Sequence, residues 1–179
     1  MYNHVAIRAA RESAQVERCH TIPHIGSYTV GQHCYGALAL LLLLHPDPSI
    51  SLVKAVAFHD LPERWLGDVP GPGKTGALAE AFADAESAIF TKLGMLFHLT
   101  DEDRFWLKLV DILDLWLWSL EQETLGSRTC AEIEERCCRW LCKNAPVGDV
   151  SEFVRRTQTE RQHRGGERLS SVFAEVPTC

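Results

Sequence analysis

Leu107-Lys108-Leu109-Val110-Asp111-Ile112-Leu113-Asp114-Leu115 decides how this chain folds. Wound as an α helix, at about 100° per residue, the stretch is apolar around most of its circumference and belongs inside a protein. Asp111 is carried in with it, and a carboxylate in a core needs a cation or hydrogen-bond donors. The surrounding segment, about Thr100 to Glu123, predicts one long helix. Trp106, Trp116 and Trp118 on it read as core or subunit-interface residues.

Outward from this helix the pattern repeats. Helices are predicted over about Val5 to Arg18, Val30 to Leu44, Ser49 or Ser51 to His59, Ala77 to Leu96, and Cys130 to Lys143. The second is stopped by His45-Pro46-Asp47-Pro48, and Thr21 to Ser27 is a connection bearing Pro and Gly. Asp60-Leu61-Pro62-Glu63 reads as a helix start with Asp60 as its cap. Gly67 to Gly76, with four glycines and two prolines, reads as a loop. No segment alternates with period two between turns, so the expected fold is all-α, a single helical bundle. It is expected to span residues 1–155. Residues 156–179 are expected to form a tail, mobile or docked on a neighbouring subunit, without an apolar face before Val172 and Phe173.

Composition bounds the function. The 179 residues are 46% apolar and carry a net charge of −6. An acidic chain is a poor binder of long nucleic acid. The longest apolar run, Ala37 to Leu44, falls far short of the roughly 20 residues that cross a bilayer, and the first ten residues hold no apolar signal region. No membrane or long nucleic-acid partner is expected. Seven cysteines, an odd number, point to a reducing, cytoplasmic compartment.

The chemistry concentrates in a few residues. His59-Asp60 closes an apolar helix, His33 sits in another, and Asp111 in a third. Imidazole nitrogens and carboxylate oxygens together are a ligand set for a divalent transition metal. His33, His59, Asp60 and Asp111 could supply four ligands. The bland alternatives are a core histidine with a capping Asp60, and an Asp111 paired with Lys108 three residues earlier. Asp114 competes with Asp111 as a ligand. Cys130, Cys137, Cys138 and Cys142 read as small buried apolar residues rather than as a second metal site.

The order His, His-Asp, Asp resembles the HD superfamily of metal-dependent phosphohydrolases. Arg18 lies fifteen residues before His33, Glu63 four after His59, and Gly67-Asp68-Val69-Pro70-Gly71-Pro72-Gly73-Lys74 follows closely. Lys108-Leu109-Val110-Asp111-Ile112-Leu113, with Glu121 ten residues on, completes the set. Together these resemble the small bacterial 5′-deoxyribonucleotidase branch. Two departures stand out. Gln32-His33-Cys34 replaces the family's Glu-His-Ser, so a carboxylate beside the ligands is missing. Arg18-Cys19-His20-Thr21-Ile22-Pro23 differs from the Arg-Trp of the monophosphatases and is more similar to small phage HD enzymes that remove dATP, in which an apolar side chain stands near the purine C2 edge. Ile22 matches that side chain.

The resemblance implies a single HD-domain bundle that hydrolyses deoxynucleotides. dATP, with dADP and dAMP, is the favoured substrate, and a broad dNMP nucleotidase or a non-catalytic nucleotide-binding regulator are the alternatives. It implies Co, Mn or Zn at the four ligands, and a homo-oligomer, dimer or hexamer, in the cytoplasm, or in the host cytoplasm for a phage protein. A metal there would polarise a phosphoryl oxygen and acidify water. Glu63 would take or orient the water's proton, with Asp68 holding Glu63 or a water. Arg18 and Lys74 would clamp phosphate. Trp65 is either a stacking platform or, the favoured reading, a packed core residue. His20 and His24 read as solvated loop histidines.

Overall fold

The structure is a computed structural model that describes residues 3–145 and 148–163. Its helices are α1 (His4–Ser13), α2 (Val30–Leu44), α3 (Ile50–Phe58), α4 (Glu63–Leu66), α5 (Gly76–Leu93), α6 (Asp101–Thr124), α7 (Ala131–Asn144) and α8 (Asp149–His163). A 3-10 turn at Gly71–Gly73 interrupts the glycine-rich loop. Among the described residues the only strand-like feature is one isolated bridge, Glu17 to Thr29, so the all-α expectation holds. Contacts divide the chain into two units, 1–139 and 140–179. α8 lies in the second and runs straight through the expected tail boundary at 155/156. Val172 and Phe173 lie outside the described residues.

The first unit is built around α2, α3 and α6. Ala37 and Leu41 of α2, Leu52 and Val56 of α3, and Val110 of α6 form one fully buried cluster. Each of the Leu and Val side chains among them stabilises the fold by roughly 1.5–3 kcal/mol through lost water contact. A second cluster joins Ala9 of α1, Leu61 and Leu93. Helices α2 and α6 both start on reciprocal caps. Thr29 Oγ accepts from the Gln32 N–H while Gln32 Oε1 accepts from the Thr29 N–H, at 3.3 and 2.8 Å. Thr100 and Asp103 do the same for α6, whose first turn holds three acids at the positive end of the helix dipole.

Three boundaries differ from the sequence reading, each for a local reason. α1 stops at Ser13 rather than near Arg18, because the following residues pair with the approach to α2. Arg18 N–H donates to Tyr28 O at 2.8 Å, and Val30 N–H to Val16 O at 2.9 Å. α5 ends at Leu93, not Leu96: Gly94 takes φ +65, and Met95 N–H closes back on Phe90 O at 3.0 Å. Asp60 does not cap α4. Pro62 stands at that position, and the chain passes through two tight turns, Leu61 N–H to Phe58 O and Glu63 N–H to Asp60 O, both 3.0 Å. The Asp60 carboxylate is thereby left for other partners.

Candidate active site

α2 presents His33 from its first turn, α3 ends on His59 and Asp60, and α6 carries Asp111 and Asp114 past both. His33 Nε2 lies 3.1 Å from His59 Nε2, 3.6 Å from Asp60 Oδ2 and 3.3 Å from Asp111 Oδ1. His59 Nε2 is 3.4 Å from Asp60 Oδ2. His33, His59 and Asp60 each offer one ligand atom in a single tight group. Spacings of 3.1–3.6 Å are those of neighbouring ligands that each stand about 2.1 Å from a shared ion. Asp111 stands beside this group, and its other oxygen accepts from Lys108 Nζ at 3.0 Å. The lysine pairing and the approach to His33 therefore coexist.

The remaining ring nitrogens are committed. His33 Nδ1 faces Asp114 Oδ2 at 2.8 Å, and His59 Nδ1 faces Val56 O at 2.9 Å. Each outer N–H donates to an oxygen, which turns both Nε2 atoms toward each other and toward the carboxylates. Such an arrangement fits a cation between them. Asp114, the sequence-level competitor of Asp111, sits behind His33 instead.

Electrostatics carry the same sense. Burial opposes the ionised Asp60, yet His59, Arg18 and His33 outweigh it and pull its carboxyl below the usual range. Burial likewise opposes the ionised Asp111, and the His33 hydrogen bond and Lys108 outweigh it. Burial works against charge on His33, as does Arg18, but Asp111, Asp114 and Asp60 push it up to about 9. His59 is pushed up to about 9 against burial, chiefly by Asp60. Without a cation, this cluster holds protons in its place.

The other face of the group is different. Arg18 is buried, and its Nη1 pairs with Asp60 Oδ2 and stands 3.9 Å from Glu63 Oε1. Glu63 is 7% exposed. Arg18 Nε and Glu63 Oε2 are buried without a hydrogen-bond partner. Burial, and then the Asp60 charge, push Glu63 up to about 8. Asp68 accepts from the Cys19 N–H at 2.8 Å, which holds Cys19 at φ +54 beside Arg18. It also faces His20 Nδ1 at 3.7 Å.

The remaining expected residues lie further out. Lys74 pairs with Glu86 at 3.4 Å and stands over the Phe82 ring. Ile22 is half-buried in a turn closed by its N–H on Cys19 O at 3.1 Å. Trp65 is 50% exposed under the Arg64 guanidinium, so the core-packing reading of it is wrong; it sits on the outer face of the short helix α4. His24 is not a solvated loop residue either, since its ring packs edge-on against Trp118 at 5.5 Å. Trp116 and Trp118 are buried as expected, as are Cys130 and Cys137, whereas Cys138 is only half-buried and Cys142 is exposed. The cysteines form no metal group among the described residues.

Sequence reasoning missed Tyr28. Its buried phenol donates to Asp114 Oδ2 at 2.7 Å, its ring stacks on Trp118 at 4.5 Å, and the Arg18 guanidinium lies over it at 5.8 Å. Nothing near position 28 signals a partner 86 residues away.

No family model matches this chain, and no curated protein does. Solved structures do. A conserved hypothetical protein from Pyrococcus furiosus aligns with a TM-score of 0.66 at 21% identity, over 89% of this chain and 98% of that one. The cyanophage S-2L HD phosphohydrolase DatZ, bound to dA and one catalytic Zn2+ ion, aligns with 0.63 at 18% identity, over 88% and 95%. An HD-domain phosphohydrolase from Listeria innocua aligns with 0.60 at 16% identity, over 92% and 100%. The chain has the helical fold of these HD-domain phosphohydrolases.

Proposed function

We propose that this chain is a metal-dependent phosphohydrolase of the HD type that converts deoxynucleotides to deoxynucleosides, with dATP the favoured substrate and dADP and dAMP also accepted. The observation that carries this reading is the convergence of His33, His59 and Asp60 beside a buried Glu63 whose Oε2 lacks a partner. His33, His59, Asp60 and Asp111 would hold the ion, Co, Mn or Zn. Bound there, it supplies charge for a phosphoryl oxygen and acidifies water.

The chain's own groups do the rest. Arg18 reaches phosphate with the guanidinium edge that has no partner, and Lys74 adds a second cation at the loop. Glu63, in its carboxylate form, takes a proton from the attacking water as its oxygen bonds to phosphorus. The phosphorus–O5′ bond breaks, and O5′ takes a proton from solvent water as the deoxynucleoside leaves. Asp68 positions the Cys19 backbone, and with it Arg18. Ile22 and Trp65 border the base. The deoxyadenosine in the cyanophage neighbour supports a purine, as does the apolar Ile22. The catalytic unit is read as residues 1–155, with 156–179 outside it.

No helix among the described residues is long and apolar enough to cross a membrane. A cytoplasmic setting and a homo-oligomer complete the reading, the latter supported by Tyr35, Leu42 and Leu43 standing exposed along α2. The test is chromatographic. Metal-stripped protein is given Co2+, Mn2+ or Zn2+ with dATP or dAMP, and deoxyadenosine is measured together with phosphate or tripolyphosphate. Deoxyadenosine with tripolyphosphate from dATP is expected. Turnover of dAMP and other dNMPs alone would favour the broad 5′-deoxynucleotidase. No product with any metal, from folded protein, defeats the enzyme reading.

A further inference from the structure

His33 is the only ligand candidate whose ring is held entirely by groups from other parts of the chain. Its Nδ1–H donates to Asp114 Oδ2 at 2.8 Å, and the Tyr28 hydroxyl donates to the same oxygen at 2.7 Å. Tyr28 in turn is fixed by its stack on Trp118, 4.5 Å between centroids at 12°, and by its own N–H on Glu17 Oε2 at 3.3 Å. For Asp114 to come this close to α2, the helix surface must have a notch. It has one at Gly36, one turn after His33: a Cβ built there would run into Asp114 Oδ1 and stand 2.9 Å from its Cγ. Backbone conformation does not require this glycine, because it lies inside a regular helix, where glycine costs about 1 kcal/mol relative to alanine. The requirement is the space that Asp114 occupies.

We infer that Gly36 and Tyr28 are positioning residues for His33, acting through Asp114: the notch admits the carboxylate, the phenol orients it, and together they aim His33 Nε2 at the ion site. The inference rests on the metal-site reading above and names the residues that make that site rigid. The carboxylate behind His33 comes from α6, while Gln32 closes the helix cap.

The test uses full-length protein and zinc alone. Zn2+ affinity is measured by competition with a chelating dye for wild type, Gly36→Ala, Asp114→Ala, the double variant and Tyr28→Phe. Asp114→Ala is expected to weaken binding about 10–100-fold, the usual cost of losing such a partner. Gly36→Ala should weaken it by about tenfold, and the double variant, in which the added methyl meets no carboxylate, should bind no worse than Asp114→Ala alone. Tyr28→Phe, which keeps the stacked ring and offers a fold-preserving check on the same relay, should weaken binding several-fold. Gly36→Ala acting with full force on top of Asp114→Ala would overturn the relay.

A second readout needs no metal. The His33 Nδ1–H signal in 1H–15N spectra, identified by its absence in His33→Gln, should be sheltered from exchange in wild type. It should be lost or shifted upfield in Gly36→Ala and Tyr28→Phe. A wild type that binds no zinc but keeps this signal sinks the metal reading and leaves the relay standing. Zinc binding with a signal indifferent to both substitutions sinks the relay and leaves the metal reading standing.

Discussion

The inner and outer halves of the site are built differently. On the inner side, His33, His59, Asp60, Asp111 and Asp114 sit on or at the end of three helices that share one buried core, and nearly every polar atom has a partner. On the outer side, Arg18, Ile22, Asp68 and Lys74 stand on irregular backbone, Glu63 and Trp65 on a helix of four residues, and buried Arg18 Nε and Glu63 Oε2 have none. Buried polar groups are normally satisfied, and each exception costs on the order of 1–3 kcal/mol. The contrast teaches a division of labour. On the proposed function, the inner half would hold the ion before substrate arrives, and the substrate would supply the partners that the outer half lacks.

The largest effect should come from the inner half. Asp60→Ala removes a ligand and also strips Arg18 of its partner. Deoxyadenosine formation should fall at least about 1,000-fold, since each tenfold is about 1.4 kcal/mol of barrier and a metal contributes several. Equilibrium dialysis should show zinc lost in parallel. Turnover lost with zinc retained would mean that the inner half is not the ion site. Glu63→Gln probes the boundary between the halves. Its rate should fall about 100- to 1,000-fold while zinc affinity stays within about twofold of wild type, the signature of a missing proton acceptor.

These halves also differ in how far they could be read from sequence. The all-α fold was legible because no segment alternates with period two between turns and the long apolar stretches are rich in Leu and Ala. The inner cluster was legible because His59-Asp60 and Asp111 interrupt that same periodicity, and an interruption in a core must have a reason. The relay behind His33 was not legible. Gly36 and Tyr28 carry no signal of their own, and their meaning exists only once Asp114 arrives, for Tyr28 from 86 residues away. The outer half misled in places. Trp65 reads as a core tryptophan by residue type, while tight turns around Pro62 put it on the surface. Asp60 reads as a cap by position, while its side chain turns to Arg18 and the imidazoles.

Trp65 sharpens the comparison from its outer edge. An exposed side chain with a half-open face contributes little to folding, so Trp65→Ala should leave stability within about 0.5 kcal/mol of wild type. Stacking on a base is worth about 1–3 kcal/mol. KM for dATP should therefore rise about tenfold with kcat unchanged. An unchanged KM would put Trp65 outside the substrate contact and leave Ile22 alone beside the base.

The last test asks whether the inner half holds protons when no metal is bound. His33 and His59 titrate at about 9 in the folded chain against 6.5 ordinarily, because surrounding carboxylates outweigh burial. A group that binds its proton more tightly when folded stabilises the fold fully below its unfolded value and loses that contribution as pH rises through its folded one. For both imidazoles the loss runs from about 6.5 to 9. Glu63, raised to about 8 from 4.5, adds to it with the same sign over its own lower window. Asp60 and Asp111 have the opposite sign, but their window lies below about 3.8 and is closed at neutral pH. Metal-stripped protein should thus melt at least about 10 °C lower at pH 9 than at pH 6.5, since the two imidazoles together lose on the order of 5 kcal/mol across that window and each kcal/mol moves Tm by roughly 2–4 °C in a chain of this size. Zinc should reverse the trend, because rising pH frees the ring nitrogens it needs, so the gap between metal-loaded and metal-stripped melting curves should widen with pH. A metal-stripped Tm that stays flat or rises across this window would mean that the imidazoles are not charge-paired with the carboxylates, and the contrast between a self-sufficient inner half and a substrate-completed outer half would lose its physical basis.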